Sequence, residues 1–168
     1  MIKVLINGIN GKMGKEVARL IPENKSMHLL GGLDCKMVRS SAYQVFTDTK
    51  SIFEKPDIII DFSVPDATIS ILPYCIQNNI ALVIATTGFD ENQQVKIDDA
   101  SKKIPIFQSA NMSYEVTLIS NIISELSKKL PEAEIEIAEA HHKQKKDSPS
   151  GTALMLANSI NSANDNIY

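Results

Sequence analysis

The chain has 168 residues, 43% of them hydrophobic, 22% charged and 5% aromatic, with seven Gly, two Cys and no Trp. The Gly and Cys counts exclude a collagen-like repeat and a disulfide scaffold, and the supply of Ile, Leu and Val excludes bulk disorder, which leaves a globular chain of one domain or a domain plus part of another. Seventeen Lys and Arg against twenty Asp and Glu give a net charge of −3, so no global field favours nucleic acid and any anion site must be local.

In chain order, Ile2 to Ile6 is a β-rich run ending at Asn7-Gly8, and Lys12 to Leu20 places Met13, Val17, Ala18 and Leu20 at helical spacing. This reads as strand, tight Gly turn, helix. Met27 to Leu33 predicts a second strand. Asp57 to Phe62 and Ala81 to Thr86 are apolar runs of the kind found in strands buried on both faces, and Ile104 to Phe107 is a weaker case. Pro65 to Asn78 and Asp90 to Lys103 predict helices, with Asp66 supporting the first turn of the former. The alternation predicts an α/β fold, a Rossmann-type doubly wound parallel sheet over residues 1–110.

From Asn111 the pattern changes. Val116 to Leu130 predicts an amphipathic helix, Glu134 to Glu139 alternates like a strand with one wet face, and Thr152 to Ile160 predicts another helix. Residues 111–168 therefore read as a second, incomplete α+β unit with a polar tail that frays. Cys35 and Cys75 stand in no metal-ligand or C-x-x-C spacing, and the sequence opens MIKVLING without a basic leader, so a reducing cytoplasm is expected. The longest apolar runs fall far below the roughly 20 residues of a membrane helix, so no membrane partner is expected.

Three of the seven glycines, Gly8, Gly11 and Gly14, lie between the first strand and its helix. Glycine lets the backbone turn sharply and approach a pyrophosphate, while the helix N-terminus offers free N–H groups to its charge. Lys15 is followed by Glu16, which excludes a Walker A loop. Asp34 ends the second strand twenty residues beyond Gly14, where a carboxylate accepts from the hydroxyls of an adenine ribose. Strand, glycines, helix, strand and acid point together to a dinucleotide; the plainer reading is an ordinary βα turn with a surface acid. Asp34 favours NAD over NADP, with Lys36 and Arg39 able to offset the repulsion of a 2′-phosphate.

Asp61-Phe62-Ser63 and Thr86-Thr87-Gly88-Phe89 close predicted strands at the carboxyl edge, where α/β sheets bind ligands. Capping of the following helices by Ser63 and the threonines is an equal alternative. The segment from His141 to Thr152 gathers two histidines and three lysines before Ser150-Gly151-Thr152, which would offer N–H groups and hydroxyls to a carboxylate at a helix N-terminus. Histidine donates protons near neutral pH, and lysine supplies charge at short range. Adjacent His141 and His142 point to opposite sides of an extended chain, so no metal site is expected. Lys143 to Lys146 alone would read as a solvated face.

These motifs resemble the dihydrodipicolinate reductase family, also called 4-hydroxy-tetrahydrodipicolinate reductase, of diaminopimelate and lysine biosynthesis. The resemblance is carried by the glycine turn, Asp61-Phe62-Ser63, Thr86-Thr87-Gly88-Phe89, Ser109 to Ser113 and above all Glu139-Ala140-His141-His142-Lys143-Gln144-Lys145 with Asp147 to Leu154. It implies reduction of a cyclic unsaturated dicarboxylate to tetrahydrodipicolinate by hydride from NADH or NADPH. By position it implies His141 as proton donor with Lys145 as partner, and Thr87, His142, Lys145, Ser150, Gly151 and Thr152 as substrate-binding residues. Gly8, Gly11, Lys12, Met13 and Gly14 match the pyrophosphate turn and Asp34 the ribose acid. Phe62, Thr86, Gly88 and Asn111 match the rim around the nicotinamide, and Met112 is a further cofactor-binding position.

Tyr114-Glu115 departs from the apolar residue and Gly usual after Asn111-Met112-Ser113, which bears on the hinge between domains. Family members continue past Tyr168 with strands that complete the second sheet and build a homotetramer, so an exposed apolar face and non-native association are expected. The rival readings are a non-catalytic NAD(P)-binding or redox-sensing module, a different Rossmann dehydrogenase, and a nucleic-acid binder using Lys143 to Lys146.

Overall fold

The computed structural model describes residues 1–37, 43–141, 143 and 148–164. Its chain divides into two units, Met1–Ser109 and Ala110–Tyr168. In the first, β1 (Ile2–Asn7), β2 (Met27–Leu33), β3 (Val45–Phe46), β4 (Ile58–Asp61), β5 (Ala81–Ile84) and β6 (Ile106–Gln108) form one sheet in the order β3-β2-β1-β4-β5-β6. All neighbouring pairs are parallel.

Helices α1 (Lys12–Leu20), α2 (Pro65–Asn78) and α3 (Glu91–Ser101) lie between strands in the chain. Side chains alternate across a strand, so β1 feeds two cores at once. Leu5 joins Ile59 and Leu82 with Ile71 and Leu72 of α2 and Ile97 of α3. Val4 and Ile6 join Ile9 and Ala18 of α1. That two-sided burial is why Val4 to Ile6 of β1, Ile58 to Ile60 of β4 and the whole of β5 are apolar without interruption.

Register levels the strand ends. Asn7 pairs with Asp61, and Asp61 with Ile84, so the last residues of β1, β4 and β5 share one edge. The strand order reverses between β1 and β4, which opens a crevice at that carboxyl edge. The two-residue strand β3 is too short for any period to reveal in the sequence. Asp48 follows it and caps a 3-10 turn at Thr49–Ser51 by accepting from the Lys50 N–H. That bond holds the Asp48 carboxyl below its ordinary pKa.

The described residues of the second unit hold α4 (Tyr114–Lys129) and α5 (Gly151–Ala163). The two helices meet through polar groups: Ser159 Oγ donates to the Ser120 carbonyl at 3.3 Å, and Asn164 Nδ2 to Ser127 Oγ at 2.8 Å. The strand expected over Glu134 to Glu139 does not form; this stretch is irregular and exposed. Alternation makes a strand only where a neighbour accepts its backbone hydrogen bonds, and the described residues of this unit offer none. Tyr114 and Glu115 instead begin α4. Ser113 caps it, accepting from the Val116 N–H and donating to Glu115 Oε2 at 2.7 Å, which lowers the Glu115 pKa. A carboxylate in the first turn also suits the helix dipole.

Candidate active site

In the first unit the glycine turn is built by close approach. Gly8 has φ of +80°, and a Cβ there would come within 2.5 Å of the Phe62 carbonyl oxygen. A Cβ on Gly14 would run into the Gly8 carbonyl oxygen. Only glycine fits either place. Gly11 is the N-cap of α1 and makes no side-chain cap, so the first N–H groups of that helix, from Lys12 and Met13, are left for an anion.

The turn borders a cleft of about 760 Å³ whose walls include Gly8, Gly11, Asp34, Asp48, Phe62 and Ser63. That volume lies in the range of small-molecule sites. Asp34 stands there, half-buried, its Oδ2 accepting from the Asn10 N–H at 3.0 Å. It thereby ties the end of β2 to the glycine turn. Asn10 Nδ2 adds a bond to the Lys36 carbonyl at 2.8 Å. A glycine turn without side chains, an uncapped helix N-terminus and an acid beside them fit a dinucleotide. Asp48 and Thr49 join this cleft from beyond β3; sequence reasoning missed them because it missed the strand.

Ser63 and Thr86 do not cap helices. The N-cap of α2 is Val64, with no side-chain bond, and α3 is capped by Asp90 in a capping box with Gln93. Both hydroxyls instead bond Asp61. Thr86 is buried, whereas Thr87 and Gly88 are exposed, Gly88 with φ of +85°.

In the second unit, His141 is exposed and its Nδ1 lies 3.5 Å from Glu139 Oε2. The other oxygen of Glu139 accepts the Ser150 N–H at 2.8 Å. Ser150 is buried and caps α5, its Oγ accepting from the Ala153 N–H at 3.1 Å. Its N–H is therefore engaged and its Oγ accepts a helix N–H, and the next two N–H groups of the helix are those of Gly151 and Thr152. Thr152 Oγ1 accepts from Asn111 Nδ2 at 2.9 Å, and Asn111 Oδ1 accepts from the Ser113 N–H. Met112 is exposed beside them. Glu139 is the residue that joins His141 to the start of α5; its place two residues before His141 in the alternating stretch was the available signal. His142, Lys145 and Arg39 lie outside the described residues. Among the described residues, no three His, Cys, Asp or Glu side chains converge as metal ligands.

Comparison with known proteins decides the family. The profile of the dihydrodipicolinate reductase N-terminus matches residues 2–112, and that of its C-terminus matches residues 115–167. The chain belongs to the dihydrodipicolinate reductase family. It is 44% identical over 161 residues to the 4-hydroxy-tetrahydrodipicolinate reductase of Caldanaerobacter subterraneus subsp. tengcongensis, covering 96% of this chain and 64% of that relative. The Clostridium novyi reductase is 42% identical, with 95% and 64% covered. This member thus spans a little under two thirds of the length of these relatives. The dipicolinate-bound dihydrodipicolinate reductase from Paenisporosarcina sp. TG-14 superposes with a TM-score of 0.78 at 31% identity, over 97% of this chain and 66% of that one. Aspartate dehydrogenase from Thermotoga maritima, at 18% identity and TM-score 0.53 over 73% of this chain and 51% of its own, shares the fold alone.

Proposed function

We propose that this member of the dihydrodipicolinate reductase family acts in the reduction of 4-hydroxy-tetrahydrodipicolinate to tetrahydrodipicolinate, in which the 4-hydroxyl leaves as water and NADH or NADPH supplies the hydride, in diaminopimelate and lysine biosynthesis. The observation that carries the reading is Glu139, whose two oxygens reach both His141 and the Ser150 N–H. One acid thus places a proton-donating imidazole beside a helix N-terminus suited to a carboxylate.

The first unit, Met1–Ser109, is assigned the dinucleotide. Gly8, Gly11 and Gly14 let the backbone approach its diphosphate, the N–H groups of Lys12 and Met13 face that charge, and Asp34 receives the ribose. Phe62, Thr86 and Gly88 are assigned to its nicotinamide side, as is Asn111 of the second unit, and Met112 is a further cofactor-binding position. Asp34 and Asp48 both border the cleft, so a 2′-phosphate meets like charge and NADH binds more tightly than NADPH. When bound, the cofactor supplies the hydride.

The second unit, Ala110–Tyr168, is assigned the substrate. The N–H groups of Gly151 and Thr152 hold a carboxylate, with Ser150 setting the cap, while His142, Lys145 and Thr87 supply further contacts. His141 delivers the proton that quenches the charge left on the ring, with Lys145 as its partner. The two cysteines are free thiols, Cys75 buried and Cys35 exposed, which suits a reducing cytoplasm. No described helix is long and apolar enough to cross a membrane.

The test is the fall in NADH absorbance with freshly generated substrate, for the parent chain and for His141→Gln, Lys145→Ala and Glu139→Ala. Turnover in the parent that falls at least about a hundredfold in the first two variants, and about tenfold in the third, is the expected result. Binding of NADH without any turnover would reduce the assignment to the cofactor half.

A further inference from the structure

Asp61 ends β4, is fully buried, and is absent from the walls of the cleft. Its Oδ1 accepts from Asn7 Nδ2 at 2.8 Å and from Ser63 Oγ, and its Oδ2 from Thr86 Oγ1 at 2.9 Å and from Thr68 Oγ1. A carboxylate offers about four acceptor sites, and here four donors take them. The donors come from four segments: the end of β1, the loop after β4, the start of α2, and the residue that follows Ala85 beyond β5.

Further bonds close this ring. The Ser63 N–H donates to Thr86 Oγ1 at 3.0 Å, and Asn7 Nδ2 also reaches Ser63 Oγ at 3.0 Å. The Phe62 N–H donates to the Asn7 carbonyl at 3.0 Å, and Gly8 packs directly on the Phe62 carbonyl. The glycine turn, Phe62 and Ser63 therefore take their places from one another and from Asp61. Burying a carboxylate is costly, and an apolar side chain would fill the same volume without that desolvation. What the carboxylate adds is four acceptor sites aimed at four segments.

We infer that Asp61 is a positioning residue for the dinucleotide: it never touches the ligand, and it sets the loop ends that do. This rests on the proposed cofactor reading of the cleft. Thr68 allows the test, because it is also fully buried and also absent from the cleft walls. Thr68→Val keeps the shape and removes the donor, whereas Thr68→Ser keeps the donor and removes a methyl group.

The experiment titrates each chain with NADH, followed by the fluorescence of the bound nucleotide, alongside a thermal melt. The expected result is a dissociation constant about tenfold weaker in Thr68→Val, restored to within about twofold of the parent in Thr68→Ser, with Asp61→Asn weakened at least as much as the valine variant. A role in packing alone predicts the reverse order, with Ser the more damaged in the melt and Val binding like the parent. Valine binding within about twofold of the parent overturns the inference while leaving the cofactor reading intact. Absence of NADH binding by the parent overturns both. Should Asp61→Asn fail to fold, the Val and Ser pair still decides.

Discussion

The two units use apolar residues in opposite ways. In Met1–Ser109 the sheet is covered on both faces, and Leu5, Ile6, Ile59 and Leu82 are essentially inaccessible. In Ala110–Tyr168 the buried positions of α4 are Ser120 and Ser127, while Leu118, Ile119, Ile122 and Leu126 are each about half exposed (47–56%). Ile160 is the buried apolar side chain of α5. A helical stripe of apolar residues is the same cue in both units. It becomes a core only where a second layer faces it.

That contrast can be broken or sharpened experimentally. The largest expected effect is in amide hydrogen exchange of the whole chain, where β1, β4 and β5 should outlast α4 by about a thousandfold or more. Similar protection in both would end the comparison. Next, Ile59→Ala should cost about 2–5 kcal/mol in denaturant unfolding, whereas Ile122→Ala on α4 should stay within about 0.5 kcal/mol. Gly14→Ala forces a Cβ against the Gly8 carbonyl; an NADH titration should show affinity falling by more than about tenfold.

The exposed face of α4 should make the chain associate, seen by light scattering as a mass above one chain. A sharp melt of a clean monomer would contradict this. The smallest effect concerns Cys75. Burial, with the charge of Asp61 second, pushes its thiol up to about 12. Unfolding restores the ordinary value of 9.0, so above it the unfolded chain holds fewer protons than the native one. The stability from this group is complete below that value and is lost as pH rises towards about 12. In alkylation at pH 8, Cys75 should stay unmodified in the native chain and react on denaturation, while exposed Cys35 reacts in both. Modification of native Cys75 would show that its burial is not maintained in solution.

Much of the first unit was legible. β1, α1, β2 and α2 lie within a residue or so of their sequence limits, because apolar runs, Pro65 and the glycines mark them directly. The place of Asp34 beside the glycine turn was legible from its distance to the glycines. Val45-Phe46 was not, since two residues carry no period, and with it went Asp48 and Thr49. Ser63 and Thr86 were read as caps or ligand groups; both bond Asp61, a near neighbour of Ser63 in the chain but on a different strand from the one Thr86 follows, and no local pattern reveals that the two hydroxyls share it. Glu134 to Glu139 had the pattern of a strand and lacked the neighbour that would make it one.

The sequence by itself determined the alternation of strands and helices, the glycine turn with its acid, and the ordered motifs that give the chain its family, because these depend on local geometry and spacing. Only the tertiary structure decided that Asp61 gathers donors from four segments, that Glu139 joins His141 to the start of α5, and that α4 shows its apolar face rather than burying it. Those outcomes depend on which groups meet across long separations in the chain, and burial and hydrogen-bond pairing are settled only when they meet.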